Sequence, residues 1–272
     1  MTRTRTVGLC LVAVFAITAM MVSSASATAP EFGRCLKQAT KSLSNFDSAK
    51  CVKLASEDAG TEAENLKKGN FQWFPGVVNN KFTTKMNSGT IFVLETIGGT
   101  KITCTGETSG GEYVTGSSNK EVAGVVMQFT GCETHLGKCN SPGKGEGKIS
   151  TAALEGVLGV EKVGSNPPRN DTLALELHAP AGEDVAKISC GSLPVVIRGS
   201  VLHKVAANAM KLTATEKLTA SRGKQKPEHF AGGLPGEHIL ESSTNGGPFE
   251  QTGLTITTVL TNEEKVEAST VN

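Results

Sequence analysis

The sequence predicts an all-β protein: an antiparallel sandwich or barrel of about a dozen short strands, with an N-terminal extension closed by a disulfide. Three observations point there. Short segments alternate apolar and polar residues with a period of two, as in Leu173, Leu175 and Leu177 set against Ala174, Glu176 and His178. Gly makes up 31 of 272 residues, above the usual ~7 %, and it punctuates the chain together with Pro, Asn and Ser. Amphipathic helical periodicity is nearly absent.

Taken in order, residues 1–27 read as a secretory signal that is removed. Arg3 and Arg5 precede an apolar run from Val7 to Val22, and Ala25-Ser26-Ala27 fits a small-x-small cleavage site. Those 16 residues are shorter than the ~20 that a spanning helix needs. Cys10 lies inside the run, which disfavours a lipid anchor, and no second long apolar stretch follows, so no membrane insertion is expected after cleavage. Export to the cell envelope or the extracellular space follows.

Residues 28–89 form the extension. Its Ser56 to Lys68 stretch, SEDAGTEAENLKK, reads as a short polar helix, and NFQWFPG (70–76) brings Phe71, Trp73 and Phe74 together. The sole Trp and sole Tyr leave a sugar-binding aromatic platform undersupplied, so this motif reads as a plug that packs the extension onto the sheet. Residues 90–272 form the β-domain. Expected strands are 91–97, 101–105, 112–116, 123–130, 148–152, 157–163, 173–177, 185–190, 195–204, 210–214, 254–257 and 266–269.

Loss of Arg3 and Arg5 moves the formal net charge from +1 to about −1. Lys67-Lys68 and Arg222 to Lys226 are the only dense basic spots. Binding to nucleic acid through counterion release needs many more cations, and that class is excluded.

After cleavage six cysteines are left, an even number in an exported chain, so disulfides are expected. The preferred pairing is Cys35 with Cys51, Cys132 with Cys139, and Cys104 with Cys190. The last rests on an echo between KITCTGETSGGEYVTGS (101–117) and KISCGSLPVVIRGS (187–200), as compatible with chance as with duplication. GCETHLGKC (131–139) holds Cys132, His135 and Cys139, but a metal reading needs a fourth ligand and reduced thiolates. No metal and no cofactor is expected.

Catalytic motifs are missing: there is no Gly-x-Ser-x-Gly, His-Glu-x-x-His or phosphate loop. Ser-x-x-Lys occurs at 117–120 and 221–224 without companion motifs. Glu95, Glu107, Glu112 and Glu176 are candidates for a carboxylate pair only in number, and His135, His178, His203, His229 and His238 are scattered. Asn170-Asp171-Thr172 matches a glycosylation acceptor.

PEFGRC (30–35), GNFQWFPG (69–76), FTGCE (129–133), GEGKIST (145–151), LEGVLGV (154–160), RGSV (198–201) and KQKPEHF (224–230) follow in an order that resembles an uncharacterised family of secreted proteins from high-GC Gram-positive bacteria. The resemblance implies export and a β fold and supplies no active site. Two functions are therefore expected as alternatives. One is a non-catalytic structural or binding role at or outside the cell surface, with loops 131–147 and 223–248 as contact surface for an extracellular ligand. The other is a secreted hydrolase of polysaccharide or lipid built from dispersed carboxylates and histidines.

Overall fold

The computed structural model describes residues 29–39, 44–52, 69–116, 119–165, 170–232 and 238–270. The expected signal segment and the expected helix at 56–68 lie outside them. The described residues form an all-β protein with no helix and 18 antiparallel strands.

The strands are β1 (Glu31–Lys37), β2 (Phe71–Pro75), β3 (Lys81–Met86), β4 (Phe92–Thr96), β5 (Lys101–Cys104) and β6 (Gly106–Val114). Next come β7 (Glu121–Thr130), β8 (Glu133–Thr134), β9 (Gly137–Asn140), β10 (Lys148–Ser150), β11 (Leu154–Lys162) and β12 (Thr172–His178). The chain ends with β13 (Ala186–Cys190), β14 (Leu193–Val205), β15 (Lys211–Ser221), β16 (Lys224–Lys226), β17 (Leu240–Thr244) and β18 (Glu250–Ser269).

Twelve strands close a ring that is not a regular barrel: β18, β3, β6, β7, β11, β12, β14, β13, β9, β8, β5, β4 and back to β18. β17 pairs with both β14 and β18 and so bridges the ring, dividing it into two lobes. Long strands line the first lobe (β3, β6, β7, β11, β12) and short ones the second (β4, β5, β8, β9, β13). The two longest strands serve both lobes. β14 pairs through Leu193–Gly199 with β13 and β17 and through Ser200–Val205 with β12. β18 meets β4 and β17 through Glu250–Thr255, then β3 and β15, then β1.

β18 runs unbroken for 20 residues where two short strands were expected, because the polar Asn262 to Glu264 segment finds partners in place of a turn. Asn262 faces inward and accepts from the Tyr113 hydroxyl at 2.9 Å. Glu264 pairs with Arg34 and accepts from the backbone N–H groups of Val78 and Asn79.

β3 lies within the 28–89 stretch, yet it is hydrogen bonded between β18 and β6 as a full member of the ring. The more N-terminal part packs outside the ring. Cys35, Phe46, Cys51 and Trp73 form a second small core, with Trp73 only 6 % exposed and its indole N–H donating to Glu31 at 2.6 Å.

The disulfides are Cys35–Cys51, Cys104–Cys132 and Cys139–Cys190. The last two replace the expected Cys132–Cys139 and Cys104–Cys190. Register explains the change. Thr103 lies opposite Glu133, Glu133 opposite Lys138, and Cys139 opposite Cys190, so the four cysteines stand in one row across β5, β8, β9 and β13. Cys139 N–H donates to the Cys132 carbonyl at 2.9 Å, so the middle pair is joined through its backbone, while Cys132 N–H donates to the Gly147 carbonyl at 2.9 Å. The outer two pairs have their Cα atoms 4.0 Å apart. Cys104 and Cys190, at the ends of the row, are three strand spacings or roughly 14 Å apart along the sheet, beyond disulfide reach. Gly131 sets the entry to this row. Its φ is +65°, and the Thr105 hydroxyl would lie 2.1 Å from any Cβ.

Candidate ligand-binding cavity

The first lobe encloses a cavity of about 110 Å³. A cavity needs roughly 10–15 Å³ to hold one water, so the space admits an apolar group several atoms long. The inward phase of each strand supplies its walls. Ser109 of β6 lies opposite Thr84 of β3, Thr84 opposite Leu260 of β18, and Leu260 opposite Ala214 of β15, so one row of the wall is continuous. The facing wall carries Val125 and Met127 of β7, Leu175 and Leu177 of β12, and His203 of β14, which lies directly opposite Leu175.

The cavity has a mouth for a topological reason. Beyond Gly199, β14 is paired only on its β12 edge. From Lys211 to Leu218, β15 is paired only on its β18 edge, since β16 joins it from Thr219 onward. No ladder joins the two facing edges among the described residues, and both line the cavity. The connection between them is pinned across one end by an Ala207–Ala268 bridge, and the Ser269 hydroxyl donates to Asn208 at 2.8 Å.

Polar groups gather at two levels. At one, the Tyr113 hydroxyl donates to Asn262, whose side-chain N–H donates to the Lys211 carbonyl at 3.1 Å. Burial, helped by the charge of Glu216, pushes the Tyr113 hydroxyl above its usual range. At the other, the Thr84 hydroxyl donates to Glu107 Oε1 at 2.9 Å and lies 2.7 Å from the Ser109 hydroxyl. Glu107 is 3 % exposed, and its Oε2 has no hydrogen-bond partner. Burial pushes its carboxyl up to about 6 against the hydrogen bonds from Thr84 and Ser109, with a further push from Glu216.

Glu216 lies opposite Thr258, Thr258 opposite Met86, and Glu107 falls one step beyond the Lys85–Thr108 pair. The two carboxylates thus share one inward-facing row across four strands.

Comparisons with protein-family models, curated proteins and solved structures find no match.

The other sequence candidates go elsewhere. Glu95 is held by Lys101 at 3.2 Å on the second lobe, and Glu112 is exposed beside Asn80. Glu176 faces the opposite side of β12 from the cavity, where it is buried and meets His238 Nδ1 at 2.8 Å. That pair lies under residues 227–232 and 238–239, whose Phe230 ring stands edge-on to His238. His178 approaches Glu155 at 3.9 Å, and His135 and His229 are exposed. Of these candidates only His203 lines the cavity; Glu107 is buried beside two residues of its wall, Thr84 and Ser109. The Cys132, His135, Cys139 trio is split by two disulfides, and among the described residues no group of three His, Cys, Asp or Glu is placed to hold a metal ion.

Glu216 is the functional candidate that sequence reasoning missed. Its signal was present, because carrying the Ala214 phase of β15 one step further puts Glu216, and then Leu218, on the inward face.

Proposed function

We propose that the protein is an exported, disulfide-stabilised binding protein of bacterial origin. It holds a small molecule with an apolar body in the first lobe, at or outside the cell surface, and performs no chemistry on it. The cavity carries the reading: mostly apolar walls from eight strands, a few polar groups at defined levels, and a mouth at the unpaired seam between β14 and β15. Export is supported by the apolar run Val7 to Val22 with its small-residue cleavage site and by three disulfides, which persist in oxidising compartments.

Calorimetric titration of the chain lacking residues 1–27 with decanol, a slender neutral apolar alcohol, tests this. One-to-one binding lost in Ala214→Phe, which puts a ring into the cavity, supports it. Absence of binding, or binding untouched by that substitution, refutes it.

The hydrolase reading has one observation in its favour: Glu107 and Glu216 stand in one inward-facing row of the first lobe, and glycoside cleavage uses a pair of carboxylates. Turnover of nitrophenyl glycosides or esters that disappears in Glu107→Gln would establish it in place of binding.

A further inference from the structure

We propose that the cavity takes an apolar molecule ending in a hydroxyl group, whose O–H donates to Nε2 of His203. The inference rests on the cavity being a binding site and adds the chemistry of its occupant. Three observations carry it.

First, His203 is built into the wall. It lines the cavity from the inward phase of β14 and is only 6 % exposed. Leu175, opposite it on β12, and Val205, two residues along its own strand, line the same space, so the ring is a polar group in an apolar stretch of wall.

Second, one nitrogen of the ring is engaged and the other is open. Nδ1 lies 3.3 Å from the Lys204 carbonyl, which can only accept, so Nδ1 carries the proton of the neutral ring and Nε2 is left as an acceptor. Nε2 has no partner among the described residues, and it is not sealed from open space as the partnerless Nδ1 of His178 is. A buried acceptor without a donor is costly, and a donor brought by a ligand removes that cost.

Third, the other polar side chains of the wall are engaged, closed off or indifferent. The Tyr113 hydroxyl is engaged by Asn262, and the Asn262 amide by the Lys211 carbonyl. Thr84 donates to Glu107 and lies 2.7 Å from the Ser109 hydroxyl. Glu267 lines the cavity too, but both of its carboxylate oxygens are closed off. Thr258 both gives and takes a hydrogen bond and so sets no preference. Lys204 is drawn to Glu161 at 3.0 Å, while the exposed Lys211 and half-buried Glu216 stand on the seam edge, where water reaches them.

Nε2 of His203 therefore calls for a neutral donor, and a hydroxyl supplies one. An ether supplies none. An ammonium would bury its charge against a neutral ring, and a carboxylate would bring acceptors to an acceptor.

Calorimetric titration of the chain lacking residues 1–27 at pH 7.5 with decanol and its isomer 1-methoxynonane, an ether that accepts a hydrogen bond and donates none, tests the assignment. Decanol is expected to bind about fivefold more tightly than the ether, one neutral hydrogen bond's worth, and more tightly than decylamine or decanoate. His203→Leu should bring decanol level with the ether and leave the ether's affinity unchanged. Long-range proton–nitrogen NMR of the parent reads the same contact without a substitution: the His203 Nε2 resonance should move when decanol is added and stay when the ether is, with the proton on Nδ1 throughout. The head-group assignment is overturned, and the binding reading left standing, by an ether that binds as tightly as decanol, by an amine or carboxylate that binds more tightly, by a decanol preference that survives His203→Leu, or by an Nε2 resonance unmoved by bound decanol. Failure of decanol and the ether alike to bind overturns both.

Discussion

Replacing Cys139 and Cys190 together by Ala removes the disulfide that closes the longest loop, with a sequence separation of 51. The loop-closure relation then gives a loss of about 4 kcal/mol at 25 °C, taken as entropy returned to the unfolded chain. The shorter Cys104–Cys132 closure, with a separation of 28, gives about 3.6 kcal/mol by the same relation. The two loops do not overlap in sequence, so the losses should add in the quadruple variant. In a chain of this size 1 kcal/mol corresponds to roughly 2–4 °C, so the Cys139/Cys190 variant should melt about 8–16 °C below the parent in scanning calorimetry. Peptide mapping by mass spectrometry of the unreduced parent should yield 104–132 and 139–190 linked peptides. A double Cys139/Cys190 variant that melts within about 2 °C of the parent, or peptides linked 132–139, would refute the register argument.

Glu267 has both carboxylate oxygens buried without a partner, and burial pushes its carboxyl up to about 8, with Lys50 partly opposing. Its folded-state pKa is raised, so the folded state binds more protons than the unfolded one between about 4.5 and 8. Stability from this group is full below that window and is lost as pH rises through about 8; Glu267→Gln should flatten the dependence in chemical denaturation measured from pH 5 to 9. His238→Ala removes a 2.8 Å partner from the buried Glu176 and should cost about 1–3 kcal/mol by denaturant midpoint, whereas a loss below about 0.5 kcal/mol would contradict a structural role for the pair. In Gly159→Ala the new Cβ would stand 2.1 Å from the Phe230 ring and 2.4 Å from the Ala231 carbonyl, so residues 227–232 should lift from β11. Faster chymotryptic cleavage after Phe230 should report it, and an unchanged cleavage rate would contradict the packing.

Much of the fold was legible because most of these strands bury one face. The Leu173, Leu175, Leu177 phase places β12 correctly and orients it toward the cavity. Its other face gave no such signal, since Glu176 reads as solvent-exposed until Phe230 and His238 cover it. β8 and β9 were hidden because two-to-four-residue strands around His135 and Leu136 carry too short a pattern to read. β17 was hidden because Ser242 and Ser243 are buried, with the Ser242 hydroxyl 2.6 Å from that of Thr252.

Cysteine connectivity turned on register, which spacing does not encode. The adjacency of Cys132 and Cys139 in sequence is real in space too, yet each of them also has a cysteine on its other side in the row and bonds there, to Cys104 and Cys190. The acids of the first lobe were half visible: Glu107 was counted, whereas Glu216 sits one residue beyond the alternation read as far as Thr215. Sheet closure puts both in one inward-facing row, and that is a property of many strands at once.

The account stands most directly on what occupies the first lobe. Methyl-resolved NMR of the chain lacking residues 1–27, titrated with decanol, should give intermolecular contacts to methyls of Val125, Met127, Leu175 and Leu260, residues of three strands that all line that lobe. Contacts confined to exposed methyls such as those of Ile97, Leu136 and Val163, with the four interior residues unperturbed, would contradict it.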